Sequence, residues 1–238
     1  MRVLALDCSA KSVSVAIAEN GNLIYEGFLN ITLTHSETLM PMCEQALSNA
    51  RCSLKDIDAI AVTAGPGSFT GVRIGISAVK GMCFGDEKPV FAYSTLEAMA
   101  LIFANCNGIN CTLCGLMDAR REQFYNALFK IEKGNITRLC EDRVITKDEL
   151  LAELKSFKNN NIVLVGDGAL AFNNLCEDKT ILSLAPTSFL VQRAGGIAIN
   201  ASSEKPNVSY ISAEALKPIY LRKSQAERER EARESQNT

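Results

Sequence analysis

Residues 64–81, AGPGSFTGVRIGISAVKG, hold five glycines and a proline and read as a turn running into a helix. Glycine-rich turns that open helices commonly cradle a phosphate, because free backbone N–H groups point at the anion. No Gly-Lys-Ser/Thr follows here, so the pattern is not a P-loop. Gly65, Pro66 and Gly67 are the turn-forming residues. In the helix that begins near Thr70, Gly71, Gly75 and Ala78 lie four and three residues apart and share a face, and small residues there admit a second helix at close range. The neighbouring face carries Val72, Ile76, Val79 and Cys83. One face serves the chain's own core. The other either serves a partner or is internal too, with the glycines fitting helix to sheet.

Two other residue sets suggest chemistry. His35 is the only histidine, which removes His-His metal sites and leaves any nucleophile–histidine pairing dependent on it. Four residues further on, where a second ligand would share its face, stands Leu39, which binds no metal. His35 is therefore read as a polar surface or capping group, and no metal site is expected. Cys111 and Cys114 have redox or zinc spacing but lie in a strand-like run, where residues three apart face opposite sides. Nine cysteines, an odd number in apolar surroundings, fit reduced cytosolic thiols better than disulfides.

The elements that must position these residues are legible in outline. RVLALD is a β run ending at Asp7, the segment 12–18 alternates with period two, and Asn20-Gly21 marks a hairpin to a third strand at 23–29. Thr34 and Glu37 form a capping box for a helix whose apolar stripe holds Leu39, Cys43, Ala46 and Ala50, widened by Met40 and Leu47. Pro41 should kink or restart it. A buried strand at 57–63, the glycine segment, a short strand and a helix at 94–104 complete an α/β half. The second half repeats the theme: strand, a turn at 118–123, strand, a second capping box at Thr146 and Glu149, a buried strand at 161–168, and a helix over 186–202. The expected division is an N-terminal subdomain 1–97, a C-terminal subdomain 98–222 and a charged tail 223–238, which reads as a solvated or fraying segment. The chain has 238 residues, 47% hydrophobic and 22% charged, with a net charge of −2. It lacks the basic excess of a protein that grips nucleic acid alone. MRVLALDCSA is too short and too early interrupted for a signal segment, and no run reaches membrane-spanning length. A cytoplasmic protein is expected.

Two tandem α/β units that each open with strands resemble the actin-like fold of sugar kinases and chaperone ATPases, an α/β ribonuclease H-like architecture with mixed sheets. In that superfamily the first hairpin carries Asp, a glycine turn and Ser or Thr, and touches nucleotide phosphate. Here it reads Asp7-Cys8-Ser9. Glycine lets backbone approach a phosphate closely and cysteine does not, so this is a degenerate phosphate hairpin.

LALDCSAKSVSVAI, HSETLMP, VTAGPGSFTGVRIG, the DARR turn and the final PIYLR together resemble the TsaB (YeaZ) family over nearly the whole chain. The resemblance implies a bacterial cytoplasmic protein needed to make threonylcarbamoyladenosine beside the tRNA anticodon, a degenerate relative of the transferase TsaD. TsaD has a His-x-x-x-His metal motif where this chain has His35 and Leu39, which implies no catalytic residues and no cofactor of its own. It also implies pairing with TsaD through the two helices bearing His35, Ser36, Leu39, Met40, Cys43 and Leu47 and Thr70, Gly71, Val72, Gly75, Ile76, Ala78 and Val79. The ATPase TsaE would dock on the pair, tRNA would be met only through the complex, and the isolated chain would form a homodimer through the same surface. On this reading Gly75→Leu or Leu39→Glu blocks pairing while the monomer still folds. The alternatives are an actin-like small-molecule kinase or ATPase, opposed by Cys8, and a peptidase, opposed by the lone histidine.

Overall fold

The computed structural model describes residues 1–31, 33–104, 108–157 and 161–222. Three strands open the chain as a meander: β1 (Arg2–Asp7), β2 (Val13–Glu19) and β3 (Asn22–Leu29). The β2–β3 turn uses Asn20 at φ 50° and Gly21 at φ 79°, the left-handed pair that a tight hairpin requires. Then follow α1 (His35–Asn49), β4 (Ala59–Gly65), α2 (Phe69–Met82), β5 (Val90–Ser94) and α3 (Thr95–Leu101). β4 runs parallel to β1 and to β5. β1 alternates as period two demands. Leu4 and Leu6 pack with α1 and α2 on one face, while Val3 and Ala5 pack with α3 on the other.

The second half builds β6 (Cys111–Asp118), β7 (Gln123–Glu132), β8 (Asn135–Arg138), β9 (Arg143–Thr146), α4 (Lys147–Lys155), β10 (Ile162–Val165), α5 (Ala169–Leu175), β11 (Leu182–Leu184), α6 (Gly195–Ser202) and β12 (Tyr210–Ile211). Its strands stand in the order β11-β10-β6-β7-β8, with β9 paired to β7 off that path, and the first sheet reads β5-β4-β1-β2-β3 with β12 added beyond β5. Leaving β9 and β12 aside, both follow 5-4-1-2-3 in chain order, antiparallel on one side of the first strand and parallel on the other. This duplicated arrangement is the actin-like α/β fold. α3 sits between the sheets, with Ala98 and Leu101 in the core of the first and Leu96 and Met99 in that of the second. Cys111 and Cys114 enter cores on opposite faces of the second sheet, as their spacing requires. Both are free thiols.

Several expectations need correction. The segment 186–202 is not one helix: only a single 3₁₀ turn forms at Thr187–Phe189, and α6 starts at Gly195. The residues between are held elsewhere. The Gln192 carbonyl accepts from Ser12 Oγ (3.1 Å), and the Ala194 N–H donates to Ser14 Oγ (3.1 Å). The far end of the chain returns to the first half. α6 packs on β1 and β2, its glycines against Glu26 and Ile102, and β12 pairs with β5. α1 runs through Pro41 without a break. Pro41 and Glu37, whose carbonyl loses its helical donor, are both on the exposed side. The tail 223–238 lies outside the described residues.

Candidate functional site

α1 and α2 lie side by side on the first sheet and leave a groove of about 500 Å³ between them. α1 starts where it does because Glu37 reaches back, its carboxylate accepting from the Thr34 N–H (3.2 Å) and hydroxyl (2.9 Å). α2 is capped by Ser68, whose hydroxyl accepts from the Gly71 N–H (3.2 Å). The groove is lined by Ser36, Leu39 and Met40 from α1 and by Phe69, Thr70, Arg73, Ile74, Ser77 and Ala78 from α2. Leu39, 1% exposed, is its floor, and Met40, 41% exposed, is a wall. At one end Tyr220 stacks on Phe69 with ring centroids 4.5 Å apart and accepts a hydrogen bond from Arg73 Nε (2.6 Å). The groove offers chiefly shape and apolar contact, with no titratable cluster. Among the described residues no three His, Cys, Asp or Glu side chains gather as metal ligands.

The expected site residues divide in two. Ser36, Leu39, Met40, Thr70 and Ala78 line the groove. Cys43, Val72, Ile76 and Val79 are buried in the sheet-facing core, Leu47 packs half-buried against it, and burial pushes the Cys43 thiol up to about 12. Met40 leaves the apolar stripe of α1, and Met42 takes its place. The glycine face is a correction. A Cβ at Gly71 would stand 2.0 Å from the Cys8 carbonyl oxygen, and one at Gly75 would touch Cys8 and Val62 at 3.7 Å. The close neighbour is the chain's own β1–β2 turn, so Gly75→Leu would press into the core. Leu39→Glu would likewise bury a charge. Neither is a surface mutation. Phe69, Arg73, Ile74 and Ser77 escaped the sequence reading, although helical spacing from Thr70 through Arg73, Ile74 and Ser77 to Ala78 marks them.

The turn at Gly65 and Gly67, both at positive φ (118° and 157°), is squeezed from two sides. A Cβ at Gly65 would meet the Ile219 carbonyl at 2.4 Å, and one at Gly67 the Ser9 carbonyl at 2.2 Å. The Ile219 N–H donates to the Ala64 carbonyl (2.7 Å), so the C-terminal strand of chain straps the turn down. The glycine segment is a frame for backbone.

The Asp7-Cys8-Ser9 hairpin spends two of its donors internally. The Ser9 N–H and hydroxyl both go to Asp7 Oδ1 (2.9 and 2.6 Å). Asp7 is 1% exposed, and its Oδ2 has no hydrogen-bond partner among the described residues. Burial raises its pKa, Ser9 offsets part of that, and the nearby Thr63 hydroxyl offsets a little more without a hydrogen bond of ordinary geometry. Cys8 is buried and burial raises its thiol pKa well above the usual value. His35 Nε2 lies 3.2 Å from the Ser12 carbonyl and, facing an acceptor, donates to it.

A protein-family model described as TsaD, tRNA N6-adenosine threonylcarbamoyltransferase, matches residues 31–230. The chain is 31% identical over 234 residues to the tRNA threonylcarbamoyladenosine biosynthesis protein TsaB of Escherichia coli (strain K12), covering 95% of this chain and 96% of that protein. It is 36% identical over 107 residues to a tRNA N6-adenosine threonylcarbamoyltransferase of Staphylococcus haemolyticus, covering 37% of this chain and 30% of that protein. The solved structure of YeaZ from Pseudomonas aeruginosa matches with a TM-score of 0.76 at 26% identity, over 92% of this chain and 99% of that one.

Proposed function

The chain belongs to the TsaB family and so has a role in tRNA threonylcarbamoyladenosine biosynthesis; from that premise we propose that it is the non-catalytic subunit that binds TsaD and holds it in a competent form. The observation that carries the reading is the α1–α2 groove. Its apolar lining, the exposed Met40 with the half-buried Phe69, Ile74 and Ala78, stands open between helices whose other faces complete a core. An open apolar groove of this kind is a surface that a partner can cover. Activation requires tighter binding to the competent form of TsaD than to others. The chain's part is then conformational, and acyl transfer to the adenosine N6 falls to TsaD.

The rest of the assembly follows from the same reading. TsaE docks on the pair, tRNA is met through the complex, and the isolated chain pairs with itself through the same groove in the cytoplasm. No nucleotide is held at the Asp7–Ser9 hairpin, because its donors are spent internally. That geometry also opposes the kinase reading. The lone histidine, committed to a backbone carbonyl, offers a peptidase nothing.

The test is reconstitution with TsaD, TsaE, a threonylcarbamoyl-AMP source and unmodified tRNA, counting product with and without this chain. Met40→Glu and Ser77→Arg place charges on exposed groove positions. Each is expected to leave melting unchanged and to weaken TsaD pairing at least tenfold, the equivalent of about 1.4 kcal/mol. Normal pairing by both variants would sink the placement. Full product without the chain would sink the function.

A further inference from the structure

Both walls of the groove hang from one turn. α2 is tied by its N-cap: the Ser68 N–H donates to the Ser9 carbonyl (2.7 Å). α1 is tied by its first residue: His35 donates to the Ser12 carbonyl (3.2 Å). Ser9 and Ser12 belong to the same short β1–β2 connection. Its shape is fixed from within by Asp7 Oδ1, which gathers the N–H and hydroxyl of Ser9. The turn is also pressed against α2, because only glycine at 67 and 71 admits the Ser9 and Cys8 carbonyls so closely. Asp7, Cys8, Ser9 and Ser12 are each at most 2% exposed, so the connection itself is shielded from water.

We infer that the β1–β2 connection, residues 8–12, held by Asp7 at the end of β1, sets the spacing of α1 and α2 and thereby the width of the groove, with Asp7 and His35 as positioning residues. The donors that a phosphate hairpin would turn toward a ligand go here to Asp7, and the carbonyls of Ser9 and Ser12 turn toward the helix starts. A groove whose two walls share one anchor opens or closes as a unit when that anchor slackens. The geometric claim stands without any partner. Its consequence for binding rests on the function proposed above.

The experiment measures the groove directly. Spin labels introduced as encoded unnatural amino acids at Met40 and Ser77, both exposed, report the distance between the helices without competition from the chain's own cysteines. The unsubstituted chain should give one narrow distance distribution. Asp7→Ala and His35→Ala should each displace or broaden it, whereas Asp7→Asn keeps the accepting oxygen and His35→Gln keeps a donor, and both should restore it. If Asp7→Ala does not fold, His35→Ala decides, since His35 is half-exposed and its loss removes a single bond. Folded Ala variants with unchanged distances would overturn the inference, as would Asn and Gln variants as disturbed as the Ala ones. TsaD affinity, measured on the unlabelled Asp7 and His35 variants, should fall fivefold to tenfold, roughly one hydrogen bond's worth, in the Ala variants and recover in the conservative ones. A changed distance with unchanged affinity would refute the partner reading while leaving the shared anchor intact.

Discussion

The same substitution at two neighbouring glycines of α2 should have opposite signs. At Gly71 an added Cβ would lie 2.0 Å from the Cys8 carbonyl oxygen, where ordinary contact begins at 3.4 Å. That carbonyl is backbone and cannot swing aside. The helix start and the hairpin must part by more than an ångström, and the Ser68–Ser9 bond between them is the first to break. The bond contributes about 1 kcal/mol, and stranding the carbonyl of buried Ser9 costs about 1–3 more. Overpacking adds about 1–3 kcal/mol, and alanine returns about 1 kcal/mol through its better helix propensity. Gly71→Ala is therefore expected to lose about 2–6 kcal/mol net. For a chain of this size each kcal/mol moves the midpoint by about 2–4 °C, so the melt should fall by roughly 4–24 °C. At Gly75 the methyl would meet Cys8 and Val62 at 3.7 Å, ordinary contact. Gly75→Ala should match or exceed the parent, by up to about 1 kcal/mol. Thermal melts followed by circular dichroism, with urea titrations to confirm, make the comparison. If Gly71→Ala melts with the parent, the hairpin does not press on α2 as described. If Gly75→Ala keeps its fold but loses pairing with TsaD, that glycine faces a partner after all.

Two further outcomes are expected. Because burial raises the pKa of Asp7 above its unfolded value, the native chain binds more protons than the unfolded one between those two values. Stability attributable to this group is complete below the unfolded pKa of about 3.9 and is lost as pH rises through the folded value. Asp7→Asn removes that slope and should raise the midpoint at pH 7 more than at pH 4, as parallel melts at the two pH values would reveal; an equal shift at both would deny the cause. Lys88, 7% exposed, donates to the Ile57 carbonyl (2.8 Å) and pairs with the largely exposed Asp86. Lys88→Ala should cost about 1–3 kcal/mol through the carbonyl it strands, whereas Asp86→Ala should cost under about 1 kcal/mol, and urea midpoints that rank them the other way would contradict this assignment.

The readable parts of the fold were those whose cause is local. Asn20-Gly21 dictates its turn, Thr34 with Glu37 and Thr146 with Glu149 dictate helix starts, and period two in β2 dictates its faces. The 118–123 turn was placed, yet nothing in its residues announced that Arg120, Arg121 and Glu122 would all stand at positive φ without a glycine among them. What escaped depends on distant partners. β12 is two residues long and exists because β5 offers an edge. α6 starts late because Ala194 and Gln192 are engaged by β2 and the turn before it. Glycine spacing reported correctly that something comes close to α2, and spacing alone carries no identity for the neighbour. In the site, the same limit exchanged inner for outer face: Gly71 and Gly75 went inward, and Phe69, Ile74 and Ser77 outward.

The two halves share a topology but not a surface, and the difference bears on function. In the second half the helices are short, with α4 nine residues and α5 seven, and the buried residues they contribute go to the core beneath them. In the first, α1 and α2 run fifteen and fourteen residues. Each needs one stripe for the sheet: Leu39, Met42, Cys43 and Ala46 on one, Val72, Ile76 and Val79 on the other. A helix whose duty ended there would present polar residues elsewhere. Instead Met40, Phe69, Ile74 and Ala78 continue the apolar surface around the helices into the groove. The chain covers one end of it with its own Tyr220. Leaving the remainder bare costs solvation, at about 25 cal/mol per Å² of apolar surface, which a docked partner would recover. That recoverable surface lies above a turn whose Ser9 and Ser12 carbonyls hold the starts of the two helices. The Asp7–Ser9 bonds that fix this turn therefore also fix the carbonyls from which the two helices hang.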